Sequence, residues 1–335
     1  MAWTCAAYVA QVNCCLQFLY LGNAGFVDRK LLKVRNYMNY AEIENICKES
    51  KCYYAVNYPL ASKTSMKIGG ECDIYIEPNS EELLLKLLDA CKRCRIPYFI
   101  LGRGSNLLIK RFCGAVIAVC TALKKITVKN DCITAGAGLS LSTVCSAALE
   151  NGLSGMESLY GIPGSVGGAL YMNAGAFGTE MKDVVISARC INTNSEIVEI
   201  PADKMNLRYR GSVFSENGYC ILSVTFRLTP RAGSEINARM TEVMQKRREK
   251  QPLEYPSCGS TFKRPKNGFA AALIEECGLK GYSVGGAQVS EKHSGFVINK
   301  GDATFEDVMA LVDHIKKVVR EQKGVELECE MLVLK

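Results

Sequence analysis

Gly161-Ile162-Pro163-Gly164-Ser165-Val166-Gly167-Gly168-Ala169, followed after three residues by Asn173-Ala174-Gly175-Ala176-Phe177-Gly178, decides how this chain is read. Six glycines in 18 residues are more than tight turns require. Glycine lets the main chain approach a ligand closely and leaves backbone N–H groups free to hold an anion, the chemistry a pyrophosphate needs. An earlier loop, Gly102-Arg103-Gly104-Ser105-Asn106, follows the apolar strand Tyr98-Phe99-Ile100-Leu101 and reads equally well as an anion loop or a strand-ending turn. Neither loop has Rossmann spacing, and no Walker lysine follows either one.

The surrounding text alternates strand and helix. A strand over 73–78 gives way to Ser80, a helix N-cap, and to a helix whose Leu83, Leu84, Leu87, Leu88 and Cys91 share one face. Further strands are expected at 98–101 and 115–120. Hairpins follow at 126–134 and 184–200, with a helix over 141–150 between them and a strand over 219–228 after them. Beyond Pro230 come helices over 234–250 and 270–277. Thr304 and Asp307 form a capping box for a long helix ending at Gly324. A final strand places Glu326, Glu328 and Glu330 on one face. The expected class is α/β and α+β multidomain. Its parts are an extension of unknown role at 1–50, a lobe at 55–125 completed by the strand at 325–335, a second lobe at 126–230, and a further domain at 231–324.

Bulk properties narrow the function. Of 335 residues, 48% are hydrophobic and 22% charged, so the chain is globular rather than disordered. The net charge of +7 is not interleaved with aromatics, which argues against nucleic-acid binding and suits a phosphate-bearing small molecule. The densest basic run, Lys246-Arg247-Arg248-Glu249-Lys250, ends a helix and reads as a solvated face. Seventeen irregularly spaced cysteines read as reduced, buried thiols. Cys91-Lys92-Arg93-Cys94 lacks a second pair or a histidine to complete a metal site, so no metal is expected. Met1 to Phe26 is apolar, but its basic residues follow it, which fits neither a signal peptide nor a firm membrane span. Residues 1–37 are expected to be a lead ahead of a start at Met38.

Three segments offer reactive groups: Tyr209-Arg210-Gly211-Ser212, Cys258-Gly259-Ser260-Thr261-Phe262-Lys263 and Leu327-Glu328-Cys329-Glu330. A planar guanidinium is suited to gripping a carboxylate, although most arginines in such positions are surface charge. Ser260 has no histidine to make it a nucleophile, and a serine in a glycine turn is usually turn chemistry. Periodicity cannot choose among the three glutamates. An anion clamp, a hydroxyl and a cofactor loop together suggest redox chemistry on an anionic substrate.

Thr64-Ser65-Met66-Lys67-Ile68-Gly69-Gly70, the Gly102 loop and the Gly164 loop resemble the flavin-binding half of the UDP-N-acetylenolpyruvoylglucosamine reductases. The resemblance runs from about Asn57 onward. Met66 stands where the family usually carries an aromatic, and the chain resembles the shorter type, without an insertion before the 234–250 helix. What it implies is a vanillyl-alcohol-oxidase-type FAD-binding fold of two α/β lobes, with a C-terminal α+β substrate-binding domain. FAD would lie against Gly102, Gly104, Ser105, Asn106, Gly161, Pro163, Gly164, Ser165, Gly168, Ala169 and Gly175. NADPH would reduce it.

By the same resemblance, Arg210 and Glu330 stabilise charge on the enolpyruvyl carboxylate, and Ser260 is the proton donor. Tyr209, Lys263, Arg264 and Gln288 are implied contacts for the UDP-sugar. The product would be UDP-N-acetylmuramate, a peptidoglycan precursor, made by a cytoplasmic monomer with no stable membrane insertion. Two alternatives stay open: a same-fold flavin oxidase of a small alcohol or sugar, and a non-catalytic nucleotide-binding protein.

Overall fold

The computed structural model describes residues 39–335, so the lead at 1–37 lies outside the described residues. The chain opens with a helix, Ala41–Glu49, and then strands β1 (Tyr53–Pro59) and β2 (Glu71–Glu77). The Glu81–Arg93 helix follows, started by Ser80, whose hydroxyl accepts from Leu83 N. Next come β3 (Tyr98–Leu101), β4 (Leu107–Ile109) and β5 (Phe112–Ala118). The first sheet has the order β1-β2-β5-β3, with β5 parallel to both β2 and β3. Parallel strands buried on both faces read as continuous apolar runs, and Ala115, Val116 and Ile117 are all fully buried.

Residues 41–49 fall in the stretch expected to be an extension, yet they pack into the first lobe. Ile43 and Cys47 are fully buried in the same cluster as Leu84, Leu87 and Leu88 of the Glu81–Arg93 helix. The short sequence between Ala41 and Tyr53 gives too few periodic apolar positions to announce this helix.

The second lobe contains β6 (Ile126–Lys129) and β7 (Cys132–Gly136), a hairpin turning at Asn130 with φ 54°. The Leu141–Glu150 helix, the two-residue β8 (Leu153–Ser154) and a short helix, Val166–Tyr171, come next. A small hairpin of β9 (Gly175–Ala176) and β10 (Thr179–Glu180) precedes β11 (Val185–Ile191), β12 (Ile197–Pro201) and β13 (Cys220–Arg227). The main sheet is antiparallel in the order β12-β11-β13-β7-β6. Lys92 of the first lobe donates to the carbonyls of Asn192 and Thr193 and to Ser195, tying the β11–β12 turn across the lobes.

After the two-residue β14 (Thr229–Pro230), the Gly233–Lys250 helix leads into the last domain. There the Ala270–Glu276 and Phe305–Lys323 helices pack on a three-stranded sheet of β15 (Ser283–Val284), β16 (Ala287–Val289) and β17 (Val297–Asn299). Thr304 and Asp307 form the expected capping box, and Gly324 ends the helix in the left-handed region.

The chain then returns to the first lobe. Only β18 (Leu332–Leu334) is regular strand, pairing in parallel with β4. Residues 325–331 were expected to share that strand but instead bridge the last domain and the first lobe. Lys263 N donates to Glu328 O, and Glu330 N to Thr261 O. The ladder hydrogen bonds of this segment are therefore shared between two bodies, and the strand cannot start before 332.

Among the described residues no helix is long and apolar enough to cross a membrane. All the described cysteines are free. Cys91 is buried, and Cys94 donates to the Glu42 carboxylate, which leaves the Cys-x-x-Cys run as helix packing.

Truncating a core side chain of the first helix should therefore behave as a core mutation. Ile43→Ala is expected to cost about 2–5 kcal/mol, whereas Asn45→Ala, at an exposed position of the same helix, should stay within about 0.5 kcal/mol. Paired thermal melts that shift equally would show that residues 41–49 lie outside the core.

Candidate active site

Two glycine loops face each other where the lobes meet. Gly102 lies so close to the Ser165 hydroxyl that a Cβ there would sit 2.3 Å from it. Gly104 has φ 61° and abuts the Lys63 carbonyl, where no side chain fits. The second loop is pinned from below: Leu141 N donates to Gly164 O, Val166 N to Leu139 O, and Gly167 N to Ala137 O. Ser165 caps the Val166–Tyr171 helix by accepting from Gly168 N. Ser105 adjoins Gly164, whose surroundings leave room for a Cβ at 3.8 Å from the Ser105 hydroxyl.

A cavity of about 250 Å³ opens beside Gly102 at the carboxyl ends of β2, β5 and β3, among Lys63, Tyr75, Glu77, Arg103 and Cys120. That end of a parallel sheet is where ligands usually bind. A larger hollow of about 380 Å³, lined by Lys67, Tyr255 and Lys300, contains none of the reactive residues.

The expected loop residues differ in placement. Ala169 is 2% exposed and packs into the core, and Gly175 sits in the small β9–β10 hairpin against Glu180. Pro163 is exposed at the rim of the second loop.

One residue of the basic run departs from its expected solvated face. Arg247 lies only 5% exposed, on the helical stripe that continues Ile236, Met240 and Val243. Its Nε–H donates to Tyr160 O and its Nη1 to Gln251, while its guanidinium lies over the Phe177 ring. The remaining terminal nitrogen has no partner. Burial lowers its pKa, as it must for a cation removed from water. The spacing of Ile236, Met240, Val243 and Arg247 was the signal that could have placed it inside.

The three reactive segments converge. Tyr209 and Arg210 form the tip of a tight turn closed by mutual Arg208–Gly211 hydrogen bonds, with Arg210 at φ 54°. The Arg210 Nε–H donates to Glu330 Oε1 at 2.5 Å, and both side chains are largely buried. The Arg210 guanidinium also stacks on the Tyr209 ring, 4.8 Å from its centre. The Tyr209 hydroxyl accepts from Arg264 N at 2.9 Å. Lys263 pairs with Glu328, and the Arg264 guanidinium lies over the Phe269 ring.

Glu330 is set apart from Glu326 and Glu328 by burial, since both of the others are exposed. Burial pushes its carboxyl above the usual range, and the attraction of Arg210 and Lys263 offsets this only in part. Asn106 of the first loop donates to the Glu330 carbonyl and accepts from Leu332 N, which links loop to carboxylate.

Ser260 is half-buried beside Gly259 (φ 75°), next to the Thr261–Glu330 backbone hydrogen bond. Its neighbour Cys258 is buried, donates to Leu107 O, and has its thiol pushed up to about 12 by burial. Cys258 is therefore a packing residue. Gln288 lies on β16, and its amide donates to Gly281 O in the turn before β15.

A family model described as "UDP-N-acetylenolpyruvoylglucosamine reductase, C-terminal domain" matches residues 251–334, and one described as "FAD binding domain" matches 72–201. A UDP-N-acetylenolpyruvoylglucosamine reductase of Caldanaerobacter subterraneus is 45% identical over 295 residues, covering 88% of this chain and 97% of its own length. The chain belongs to the UDP-N-acetylenolpyruvoylglucosamine reductase family. The reductase of Agathobacter rectalis is 47% identical over 82% of this chain and 92% of its own. The crystal structure of the Thermus caldophilus reductase superposes with a TM-score of 0.72 at 31% identity, over 85% of this chain and 99% of that one.

The fold is the expected FAD-binding type with a C-terminal domain, and FAD is this reductase's cofactor. The residues present fit it. The groove has glycines whose Cβ positions are filled by the opposite wall, and beside Gly161 lies a buried guanidinium with an unspent N–H. An anion or carbonyl edge would satisfy such a group. Among the described residues no cluster could hold a metal ion.

Two tests follow. Gly102→Ala should lower the flavin absorbance per protein after purification, because its methyl would displace Ser165; undiminished flavin content would remove Gly102 from the cofactor wall. The second concerns pH. A carboxyl raised by burial binds its proton more tightly folded than unfolded, so it erodes stability as pH climbs from the ordinary glutamate range through the raised value. The melting temperature of wild type relative to Glu330→Gln should fall across that interval. A pH-independent difference would place Glu330 in an ordinary environment.

Proposed function

We propose that this member of the family reduces UDP-N-acetylglucosamine enolpyruvate to UDP-N-acetylmuramate, a peptidoglycan precursor, with NADPH as the electron source, in the cytoplasm and as a monomer. The observation that carries the reading is the buried Arg210–Glu330 contact next to Ser260, at the edge of the glycine-loop groove. The division of labour proposed for the chain is two FAD-binding lobes at 55–125 and 126–230, with the segment at 325–335, through its strand β18, completing the first. A substrate-binding domain spans 231–324.

Bound FAD supplies hydride for the methylene carbon of the enolpyruvyl ether. The residues of the chain do the rest. Arg210 grips the substrate carboxylate through its planar guanidinium. Glu330 already leans toward its protonated form through burial, and a second carboxylate nearby pushes it further that way. It then donates a hydrogen bond to the carboxylate oxygen on which negative charge builds as hydride arrives. Fixed donors of this kind are worth on the order of 3 kcal/mol of transition-state stabilisation.

Ser260 gives its hydroxyl proton to the carbon that bears the ether oxygen and the carboxylate, completing the lactyl group. Tyr209, Lys263 and Arg264 line the rim where the UDP-sugar would lie, and the two cations suit its diphosphate. Gln288 is the fourth contact proposed for the UDP-sugar, with its amide nitrogen donating to Gly281 O.

The purified protein should be yellow. Ser260→Ala should leave flavin reduction by NADPH near normal and slow reoxidation by the enolpyruvyl substrate, each followed by stopped-flow absorbance. Equal losses in the two half-reactions would remove Ser260 from the proton-donor role.

A further inference from the structure

The turn that presents Arg210 is held from outside itself. Arg208 and Gly211 exchange backbone hydrogen bonds at 3.0 and 3.1 Å, leaving Tyr209 and Arg210 as the two residues of the tip. Arg210 has φ 54°, a left-handed conformation that costs an arginine energy. A strained tip keeps its shape only where its base is fixed.

Two residues at the end of the Val166–Tyr171 helix fix it. Asn173 is fully buried and itself left-handed at φ 45°. Its Nδ2 donates to Arg208 O at 3.1 Å and to Glu180 Oε2 at 3.0 Å, and its Oδ1 accepts from Lys182 N at 2.9 Å. On the other side of the turn the fully buried Ser212 donates its hydroxyl proton to Tyr171 O at 2.6 Å.

Both N–H groups of the Asn173 amide and its oxygen are thus engaged inside the protein, joining the Arg208–Gly211 turn to the Glu180–Lys182 stretch. Glu180 lies close enough to Arg210 to feel its charge. Burial raises the Glu180 carboxyl, but Lys182, Asn173 and Arg210 together bring it below the usual range.

We propose that Asn173, seconded by Ser212, is a positioning residue that couples the flavin-side glycine loop to the Arg210 clamp. The helix that begins at Ser165 ends at the two groups that grip the Arg208–Gly211 turn, so the same short element sets both the cofactor wall and the guanidinium. Arg210 then reaches Glu330 only while this clamp holds. Asn173 is fully buried and acts through the Arg208 carbonyl. The inference rests on the assignment of Arg210 to the substrate carboxylate.

The test is a double-mutant cycle on the flavin-loaded protein. Asn173→Ala should retain flavin and be reduced by NADPH at the wild-type rate, while reoxidation by UDP-N-acetylglucosamine enolpyruvate slows roughly tenfold, the scale of one buried anchor lost. Combined with Arg210→Ala it should add little, because the guanidinium it positions is already gone. Independent, multiplicative losses would overturn the inference, as would an Asn173→Ala protein that is reoxidised normally.

Ser212→Ala, which removes only the Tyr171 contact, should show the same split to a lesser degree; it also decides the matter if Asn173→Ala fails to fold. Product affinity, measured by calorimetry with UDP-N-acetylmuramate, should weaken in both variants. Wild-type protein that NADPH reduces but the enolpyruvyl substrate cannot reoxidise would bring down the functional assignment itself, and the clamp with it.

Discussion

The hydrogen bond from Arg210 to Glu330 is where the three bodies of this protein meet. Arg210 comes from a turn of the second lobe, and Glu330 from the segment leading back into the first lobe. That same segment is hydrogen-bonded to Thr261 and Lys263 of the last domain. A charged pair this buried is costly unless its geometry is good and its surroundings are polar. Here Tyr209 stacks on the guanidinium and Asn106 holds the Glu330 backbone, so the surroundings are built to keep the two groups in register. The same desolvation leaves a carboxyl inclined to keep its proton.

Much of the architecture was legible because its signals are local. Ser80 before a leucine-rich helix, the Thr304–Asp307 box and the Asn130 turn each act within a few residues, and the structure realises each of them. What escaped was set by tertiary contacts. Glu330 could not be told from Glu326 and Glu328 by alternation, because residues 325–331 are not a free strand and burial there is decided by the last domain. Arg247 looked like part of a basic helix end, yet its helical position put it under Tyr160 and Phe177. Strands of two or three residues, such as β15 and β16, are too short for periodicity to show. Asn173 sat in view within the second glycine loop, but nothing local says that its amide serves a turn 35 positions away.

The cysteines illustrate how burial removes chemistry as readily as it creates it. Cys145, Cys220 and Cys258 are each pushed up to about 12 by burial, which denies them the thiolate form that reacts and binds metals. Beside Cys258, Ser260 remains half-buried at the active-site edge, separated from it only by a left-handed glycine. Two neighbouring residues of similar size are thus sorted by which side of Gly259 each one faces.

Placing Glu330 and β18 beside a loop that precedes them by 224 positions has a consequence for how the protein is made. Closing so long a loop carries an entropic cost that no local contact repays, and parallel pairing of distant strands is intrinsically slow. During synthesis the two lobes can form most of their sheets, but β4 must wait for its partner until the last domain has emerged. A nascent chain therefore gathers its glycine loops long before it gathers the Glu330 carboxyl. Competence arrives in one late step, when the polypeptide folds back on its own beginning.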